Sequence, residues 1–322
     1  MNKIVKTIGY KPTGKKTSLA SINATADSSL AAGNYTIRRN SFFLVDDISY
    51  VFNKDYSFTV AEAKTQKLPV LDNNVVLYQG TVSEYPDYTA QGEKFETLPI
   101  VVDNILDSND RRFIADDSLS VYVKETESGT YYEYKETESL YIKDSNTRVY
   151  EKRLNENGHF VIKFGDGVSG KKLSKGDTVS VNYILSDGLR GTISKNAING
   201  NKLFSYDSSR WRQIFDDTYT NKDTTTYISA TNNSLLTFSN PSPSSPLTDE
   251  ETVEEIKANA PRIFSAQQRL VSIIDYEAFI KKNFSNTLID SHVVNNTAYI
   301  NEYIQKGSFL KILNKKDIFF ND

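Results

Sequence analysis

Glu254-Glu255-Ile256-Lys257-Ala258-Asn259-Ala260-Pro261-Arg262, resumed by Gln267-Gln268-Arg269-Leu270-Val271-Ser272-Ile273-Ile274-Asp275-Tyr276-Glu277-Ala278-Phe279-Ile280, is the one stretch of this 322-residue chain that reads as helix on several independent grounds. Thr248 with Glu251 three residues on has the form of a capping box, each side chain satisfying an orphan backbone N–H at a helix start. Val253, Ile256 and Ala260 then fall on one helical face. Pro261 has no N–H to donate and crowds the preceding turn, so the first helix is expected to stop or kink there. A second start follows: Ser272 caps, Asp275 sits at the third helical position, and Val271 is placed to pack on Tyr276 as a hydrophobic staple. Tyr276, Phe279 and Ile280 continue the apolar face of that second helix.

Outward from this pair the pattern turns to β. The chain holds 20 Tyr and 17 Phe against one Trp and one Met, and Ser, Thr and Asn crowd the spaces between apolar runs. Residues 18–26 alternate as a half-buried strand does. Further strands are expected at Tyr35-Thr36-Ile37, Phe42-Phe43-Leu44-Val45 and Val75 to Val82. Tyr50-Val51-Phe52 and Tyr56 to Val60 bracket Asn53-Lys54-Asp55 and read as a hairpin. Later, Leu119 to Val123 and Tyr131 to Tyr134 flank the loop Glu125 to Gly129. Asn157-Gly158 is the strongest hairpin signal in the chain, followed by strands at His159 to Phe164 and Thr178 to Leu185. Tyr206 to Phe215 reads as either a short helix or an irregular loop, with Trp211 as its packing anchor. Asn240-Pro241-Ser242-Pro243-Ser244-Ser245-Pro246 reads as a stiff, extended linker.

The expected fold class is therefore α+β, mostly β: two β-rich units followed by a short helical pair. The boundaries fall at 1–97 for the first β unit, 98–198 for the second, 199–247 for an irregular segment with the linker, 248–284 for the helical pair and 285–322 for a C-terminal stub.

Bulk properties narrow the function classes. Net charge is −3, from 38 basic and 41 acidic residues. No long run of one sign occurs, which argues against nucleic-acid binding as the main role. With no cysteine, disulfides and thiolate metal sites are excluded. No apolar run approaches the ~20 residues that span a bilayer as a helix, and Met1 to Thr7 lacks the apolar core of a signal peptide. Synthesis in the cytoplasm without membrane insertion is the expectation.

Chemistry-bearing residues are sparse. A His-based triad or metal site would have to use His159 or His292, and His159 starts a strand beside a hairpin turn, a surface position. The pairs Asp46-Asp47, Asp116-Asp117 and Asp216-Asp217 suit solvated loops better than a glycosidase pair, because adjacent acids on a strand point to opposite faces. Gly14-Lys15-Lys16-Thr17 lacks the spacing and the following helix of a phosphate loop. Asp166-Gly167 and Gly170 suggest either calcium ligation or a tight hairpin, and the hairpin needs no metal. No catalytic residue, cofactor, metal or small-molecule substrate is expected. Arg262, Gln267, Gln268, Arg269, Asp275 and Tyr276 are the candidate interface residues. Arginine makes forked hydrogen bonds to carboxylates and carbonyls, here either across an interface or as intrachain caps.

The order of acidic helix, Ala260-Pro261, Gln267-Gln268-Arg269 and Val271-Ser272-x-x-Asp275-Tyr276-Glu277 resembles the signature of the baseplate J-like family, the wedge subunits of contractile phage tails and related injection machines. Phe164-Gly165-Asp166-Gly167, Val179-Ser180-Val181-Asn182-Tyr183 and Gly188-Leu189-Arg190-Gly191 are similar to the family's glycine-punctuated β-segment. Ile37-Arg38-Arg39-Asn40-Ser41-Phe42 sits where many relatives carry Ile-Pro-x-Gly-Thr-x-Phe, here without the Pro and the Gly. The resemblance covers residues 5 to 285 and implies a non-enzymatic virion protein made in the host cytoplasm. Such a protein binds copies of itself (a homo-oligomer) and other baseplate wedge proteins in a ring around the tail hub that rearranges on contraction. Family members usually begin with a helical bundle region and often continue past the Asp-Tyr-Glu helix, so this chain is expected to be a short, split or partial version. A receptor- or carbohydrate-binding tail module, with Tyr-rich β units as stacking faces, is the alternative from a different class.

Overall fold

The computed structural model describes residues 10–60, 68–102, 106–107, 110–155, 158–219, 226–227 and 235–266, with Tyr276, Phe279, Ile280 and Val293. The protein is mostly β, as its pattern implies. In chain order come β1 (Leu19–Ala26), β2 (Gly33–Ile37), β3 (Phe42–Val45), β4 (Ile48–Phe52), β5 (Tyr56–Val60), β6 (Leu68–Gln79), β7 (Thr81–Glu84), β8 (Tyr88–Thr89) and β9 (Thr97–Ile100). They are followed by β10 (Leu106–Asp107), β11 (Asp110–Arg111), β12 (Phe113–Ile114), β13 (Ser120–Lys124), β14 (Tyr131–Glu136), β15 (Val149–Leu154), β16 (Phe160–Lys163) and β17 (Thr178–Ser186). Then come β18 (Leu203–Phe204), helix α1 (Ser209–Tyr219), β19 (Thr226–Tyr227), β20 (Leu236–Ser239) and helix α2 (Val253–Ala266). Lys11–Glu251 form one compact unit; the described residues from Thr252 on, with Tyr10, belong to another.

Within the first unit, a six-stranded sheet in the order β18-β3-β4-β6-β1-β20 faces a three-stranded sheet, β19-β2-β5. β1 buries Ala20, Ile22, Ala24 and Ala26 in strict alternation, the period-two pattern of a strand with one face in a core. Phe43, Phe52, Leu77 and Phe238 join them from the same sheet, and Tyr35, Ile37, Phe58 and Val60 from the smaller one. The hairpin expected over Asn53-Lys54-Asp55 is not formed. β5 pairs with β2 and β4 pairs with β3 and β6, so the chain passes there from one sheet to the other. Its physical cause is Arg39: its N–H donates to Asp55 Oδ1 (2.6 Å) and its Nε to the Asn53 carbonyl (2.7 Å), which wraps the corner around the guanidinium. The hairpin in this region is β3–β4, turned by Asp46 and Asp47 at φ 47° and 68°. Two left-handed residues in a two-residue loop make a type I′ turn, for which Asp is well suited. This is the role of an acidic pair that otherwise reads as merely solvated.

A second, nine-stranded sheet curls around its own core of Val121, Val123, Tyr134, Tyr150, Phe160, Ile162, Phe164, Val179 and Val181. β7 and β8 pair with β17 at one end, and β9 ends the path at the other. The gap between those ends is bridged by the Tyr85 hydroxyl, which donates to the Pro99 carbonyl (3.2 Å) and accepts from Val101 N–H (3.4 Å). Pro99 has no N–H to leave unpaired on that edge. β15 and β16 form the hairpin expected near Gly158, closed by Asn155 N–H to the His159 carbonyl (2.8 Å). At the far end of β13, buried Glu125 takes a forked pair from Arg148 (2.8 and 3.0 Å) and Lys171 (2.7 Å).

The two sheets are consecutive through a single residue. β6 ends at Gln79 and β7 starts at Thr81, with Gly80 between them at φ 137° and so close to β17 that a Cβ would lie 2.5 Å from the Leu185 carbonyl oxygen. Only glycine fits there. The fully buried Gln79 amide fastens the crossing. Its Oε1 accepts from Ser186 Oγ (2.8 Å) and Asp187 N–H (3.1 Å), and its Nε2 donates to Asp187 Oδ2 (2.6 Å). Gly191 lies against it so tightly that a Cβ would sit 2.3 Å from Gln79 Cδ.

The described parts of 199–247, residues 199–219, 226–227 and 235–247, are more ordered than their composition implies. α1 is capped by Ser208, whose Oγ accepts from Trp211 N–H (2.9 Å), and turns Trp211, Ile214 and Phe215 inward. Trp211 is the expected anchor, edge-on to Tyr122 at 5.9 Å. Asp217 accepts from Tyr131 N–H (2.8 Å), and the Arg38 guanidinium stacks on Phe215 at 3.7 Å. The Asn240–Pro246 stretch is no free spacer. Asn240 is fully buried, its amide bonded to Ser194, Ser242 and Ile198, and Ser245 N–H donates to the Leu19 carbonyl. Prolines suit such a docked segment because it needs few N–H donors of its own.

Two measurements check this architecture. Gly191→Ala is expected to lose about 1–3 kcal/mol of stability by overpacking. Combined with Gln79→Ala it loses less than the sum of the single changes, read by denaturant unfolding. For Glu125, burial raises the pKa but the bonds from Arg148 and Lys171 outweigh it, leaving it below the ordinary 4.5. Its contribution is therefore complete above that value and disappears as pH falls through the lower folded-state pKa. Glu125→Gln is expected to be about 1–3 kcal/mol less stable at neutral pH, and to lose less stability than the parent on acidification below pH 4.5.

Candidate interaction surfaces

α2 begins with a full capping box, four residues later than the sequence places it. Thr252 Oγ1 accepts from Glu255 N–H (3.2 Å), and Glu255 Oε2 accepts from Thr252 N–H and hydroxyl (2.8 Å each). The Thr252 backbone N–H, with its hydroxyl, holds the Glu255 carboxyl below its ordinary range. Thr248 and Glu251 have the same spacing but are committed elsewhere. Thr248 exchanges two backbone hydrogen bonds with Lys16 (2.9 and 3.0 Å), and Glu251 N–H donates to the Thr13 carbonyl (3.0 Å). Competing strand-like pairing therefore displaces the helix start. Ile256 and Ala260 are buried as expected, whereas Val253, now the first helical residue, is exposed.

Pro261 does not end the helix, which continues to Ala266. The loss of one hydrogen bond is tolerated inside a segment of strong helix formers, Glu254, Glu255, Lys257, Ala258 and Ala260. Arg262 accordingly lies on α2 itself and not between two helices. Gln267, Gln268, Arg269 and Asp275 lie outside the described residues. Tyr276 and Phe279 are both helical and stand 42% and 46% exposed.

A second exposed apolar surface was not legible in the sequence. Tyr141 and Ile142, in a 3-10 turn (Leu140–Ile142), and Val168 are each about two-thirds exposed or more, at 68%, 74% and 73%. The two turns are held side by side by Gly170 N–H donating to the Lys143 carbonyl (3.3 Å). Leu140 is fully buried beneath them, and its N–H donates to Glu151 Oε1 (3.0 Å). Phe95 packs beside Tyr141 with ring centroids 5.9 Å apart, and Lys163 Nζ lies 4.0 Å from the Phe95 ring. Phe95 holds φ 53°, a left-handed conformation that is an outlier for a bulky residue. The only hint in sequence is the apolar triplet Leu140-Tyr141-Ile142 amid polar residues, too short to carry a period.

The Asp166 segment is a local turn and not the tight hairpin expected, because the strands on either side of it, β16 and β17, do not pair with each other. Asp166 Oδ1 accepts from Ser169 N–H (2.7 Å) and Val168 N–H (2.9 Å), bonds that hold the carboxyl below its usual range. The carboxylate closes its own turn. Among the described residues no group of three or more His, Cys, Asp or Glu is placed to hold a metal ion. His159 is half-buried at the hairpin, its N–H bonded to Asn155 Oδ1, and His292 lies outside the described residues.

The chain matches no protein-family model and no curated protein sequence.

Because Tyr141 and Ile142 project from a turn whose core residue is Leu140, Tyr141→Ser with Ile142→Ser is expected to change the unfolding free energy by less than about 0.5 kcal/mol. Leu140→Ala, by contrast, is expected to cost about 2–5 kcal/mol. Chemical denaturation of the three proteins checks both.

Proposed function

We propose that this protein is a structural subunit of the baseplate wedge of a contractile phage tail, binding further copies of itself and other wedge proteins around the hub. The observation that carries the reading is the residue order from the acidic helix through Ala260-Pro261 and Gln267-Gln268-Arg269 to Asp275-Tyr276-Glu277. One structural detail supports it. In the Ile-Pro-x-Gly-Thr-x-Phe turn of the resemblance, Asn40 occupies the glycine position and holds φ 66°. Asn is the residue that best replaces glycine in that conformation, so the turn survives without its Gly. Phe43, at the pattern's final Phe, is fully buried in the first core. The Gly188-Leu189-Arg190-Gly191 stretch likewise has a reason for its last glycine in the Gln79 contact.

The mechanism under this reading is mechanical. The sheets of the first unit act as a stiff body through the buried joint at Gln79 and the Arg39 corner. The exposed side chains of Tyr276 and Phe279 supply apolar area of the kind that interfaces bury. No step needs a catalytic side chain. Rearrangement is an exchange between two sets of packed contacts, each of many weak terms.

A second reading, a receptor- or carbohydrate-binding tail module, is favoured by the exposed Tyr141 beside Phe95, since a sugar ring stacks on an open aromatic face. It predicts saturable glycan binding by the isolated chain that is lost in Tyr141→Ala.

The first test is immunogold electron microscopy of intact particles with antibody against this chain. Label is expected at the distal end of the tail sheath; label on fibres favours the second reading, and its absence from particles overturns the baseplate assignment. Arg269→Ala is expected to abolish incorporation into particles with an unchanged melting temperature. A large fall in melting temperature would instead mean that Arg269 caps its own chain.

A further inference from the structure

Lys152 on β15 is a buried lysine with only 2% of its side chain exposed. Its Nζ lies 3.0 Å from Asp116 Oδ1 and 3.4 Å from Glu136 Oε2, and donates to the main-chain carbonyl of Asp116. The Phe160 ring walls the site at 5.4 Å. Asp116 is also buried, and its other oxygen, Oδ2, accepts from Gly14 N–H (3.0 Å). Gly14 approaches so closely that a Cβ would sit 3.2 Å from Asp116 Cγ. Glu136, on β14, is one-third exposed and also pairs with Lys11. Four segments of the chain, at Gly14, Asp116, Glu136 and Lys152, thus bring together an amine, a carboxyl group whose far oxygen has a fixed N–H donor, and a second carboxylate against the amine.

An ordinary buried ion pair is a weak explanation for this arrangement, because an apolar substitute of similar volume is often as stable or more so. We propose that Lys152 and Asp116 condense into an intramolecular isopeptide bond, with Glu136 as the proton carrier. The inference is independent of the baseplate reading.

The atoms balance within the site. The Lys152 ammonium passes a proton across 3.0 Å to Asp116 Oδ1, and the freed Nζ attacks Cγ of the now neutral Asp116 carboxyl. Gly14 N–H is positioned on Oδ2, the oxygen that gains negative charge in the tetrahedral intermediate. Glu136 takes a proton from the attacking nitrogen and passes it to the Oδ1 hydroxyl, which leaves as water. One C–O bond breaks, one C–N bond forms, and nothing is oxidised or reduced. Burial opposes the charge on Lys152, but Asp116, Glu136 and Asp117 outweigh it, and its pKa is raised. The resting state is therefore the ion pair, and an amide in its place removes two buried charges and the cost of keeping them from water. Because the pair is dry, the released water moves to bulk solvent and hydrolysis lacks a ready nucleophile.

Intact mass spectrometry of the purified, denatured full chain tests the proposal. The parent is expected to be lighter than its sequence by one water, and a protease digest to contain one branched peptide joining the segments of Asp116 and Lys152. Lys152→Arg, which keeps the charge but not the primary amine, is expected at full sequence mass. Asp116→Asn is expected to reach the same mass as the bonded parent, ammonia leaving in place of water. Glu136→Gln is expected to remain unbonded. A parent protein at full sequence mass overturns the proposal, as does loss of water that persists in Lys152→Arg. Bonding in Glu136→Gln at the parent's rate overturns the role given to Glu136.

Discussion

The constraint on which the first unit depends is the continuity of main chain from Gln79 through Gly80 to Thr81. A single residue separates two sheets with two different cores, so neither sheet can shift in register without moving the other. A purely apolar joint would allow such a shift, because hydrophobic contact is non-directional. The Gln79 amide removes that freedom. With Ser186 and Asp187 on β17 and its exit, and Gly191 pressed on its side chain, it specifies one relative position of the two sheets. An unmade bond at a fully buried amide would cost more than the bond contributes when made, so the network penalises every alternative packing.

Charged groups repeat the device at the corner of β2 and β3. Arg39 reaches Asn53, Tyr122 and Glu133, while its neighbour Arg38 lies flat on Phe215 of α1. The two arginines reach different partners from the turn that follows β2, which Ser41 N–H closes by donating to the Arg38 carbonyl (3.2 Å). Together they fix the first sheet to β13, β14 and α1. Exposed pairs such as Arg212 with Asp207 add little by comparison, since solvent screens them.

Local patterns were legible wherever one residue's own preference decides the outcome. The alternation of 19–26, the apolar runs at 119–123 and 178–185, and the glycine near residue 158 each carry their meaning in a few residues, and the mostly β class follows from them. The misreadings have a common cause, a distant partner outbidding a local signal. Thr248 and Glu251 have the spacing of a helix cap but are claimed by Lys16 and Thr13, more than two hundred residues earlier. Asn53-Lys54-Asp55 looks like a hairpin loop until Arg39 pulls it around a corner. The Pro/Ser stretch at 240–246 has linker composition, yet Asn240 docks it through its amide. The interface residues were chosen for their chemistry alone. Of these, Tyr276 is the one whose exposure the structure gives, at 42%.

The distribution of apolar surface follows from the same economy of fastening. The sheets commit their aromatic residues inward: Tyr50, Tyr122 and Tyr134 are fully buried or nearly so. Among the described residues, the most exposed large hydrophobics, Tyr141, Ile142 and Val168, gather at a turn pair, while Leu44, Phe204, Val253, Tyr276 and Phe279 stand open elsewhere. Leu140, fully buried, anchors the turn pair from beneath. An apolar side chain left in water costs solubility, a cost that contact with another molecule would remove. Rigidity makes such a surface effective: a partner that meets preorganised side chains spends less of its binding free energy on ordering them. The strained Phe95 beneath Tyr141 fits this reasoning, since a left-handed backbone at an aromatic residue persists only where the surrounding hydrogen bonds overdetermine it, and there it holds the ring at one angle.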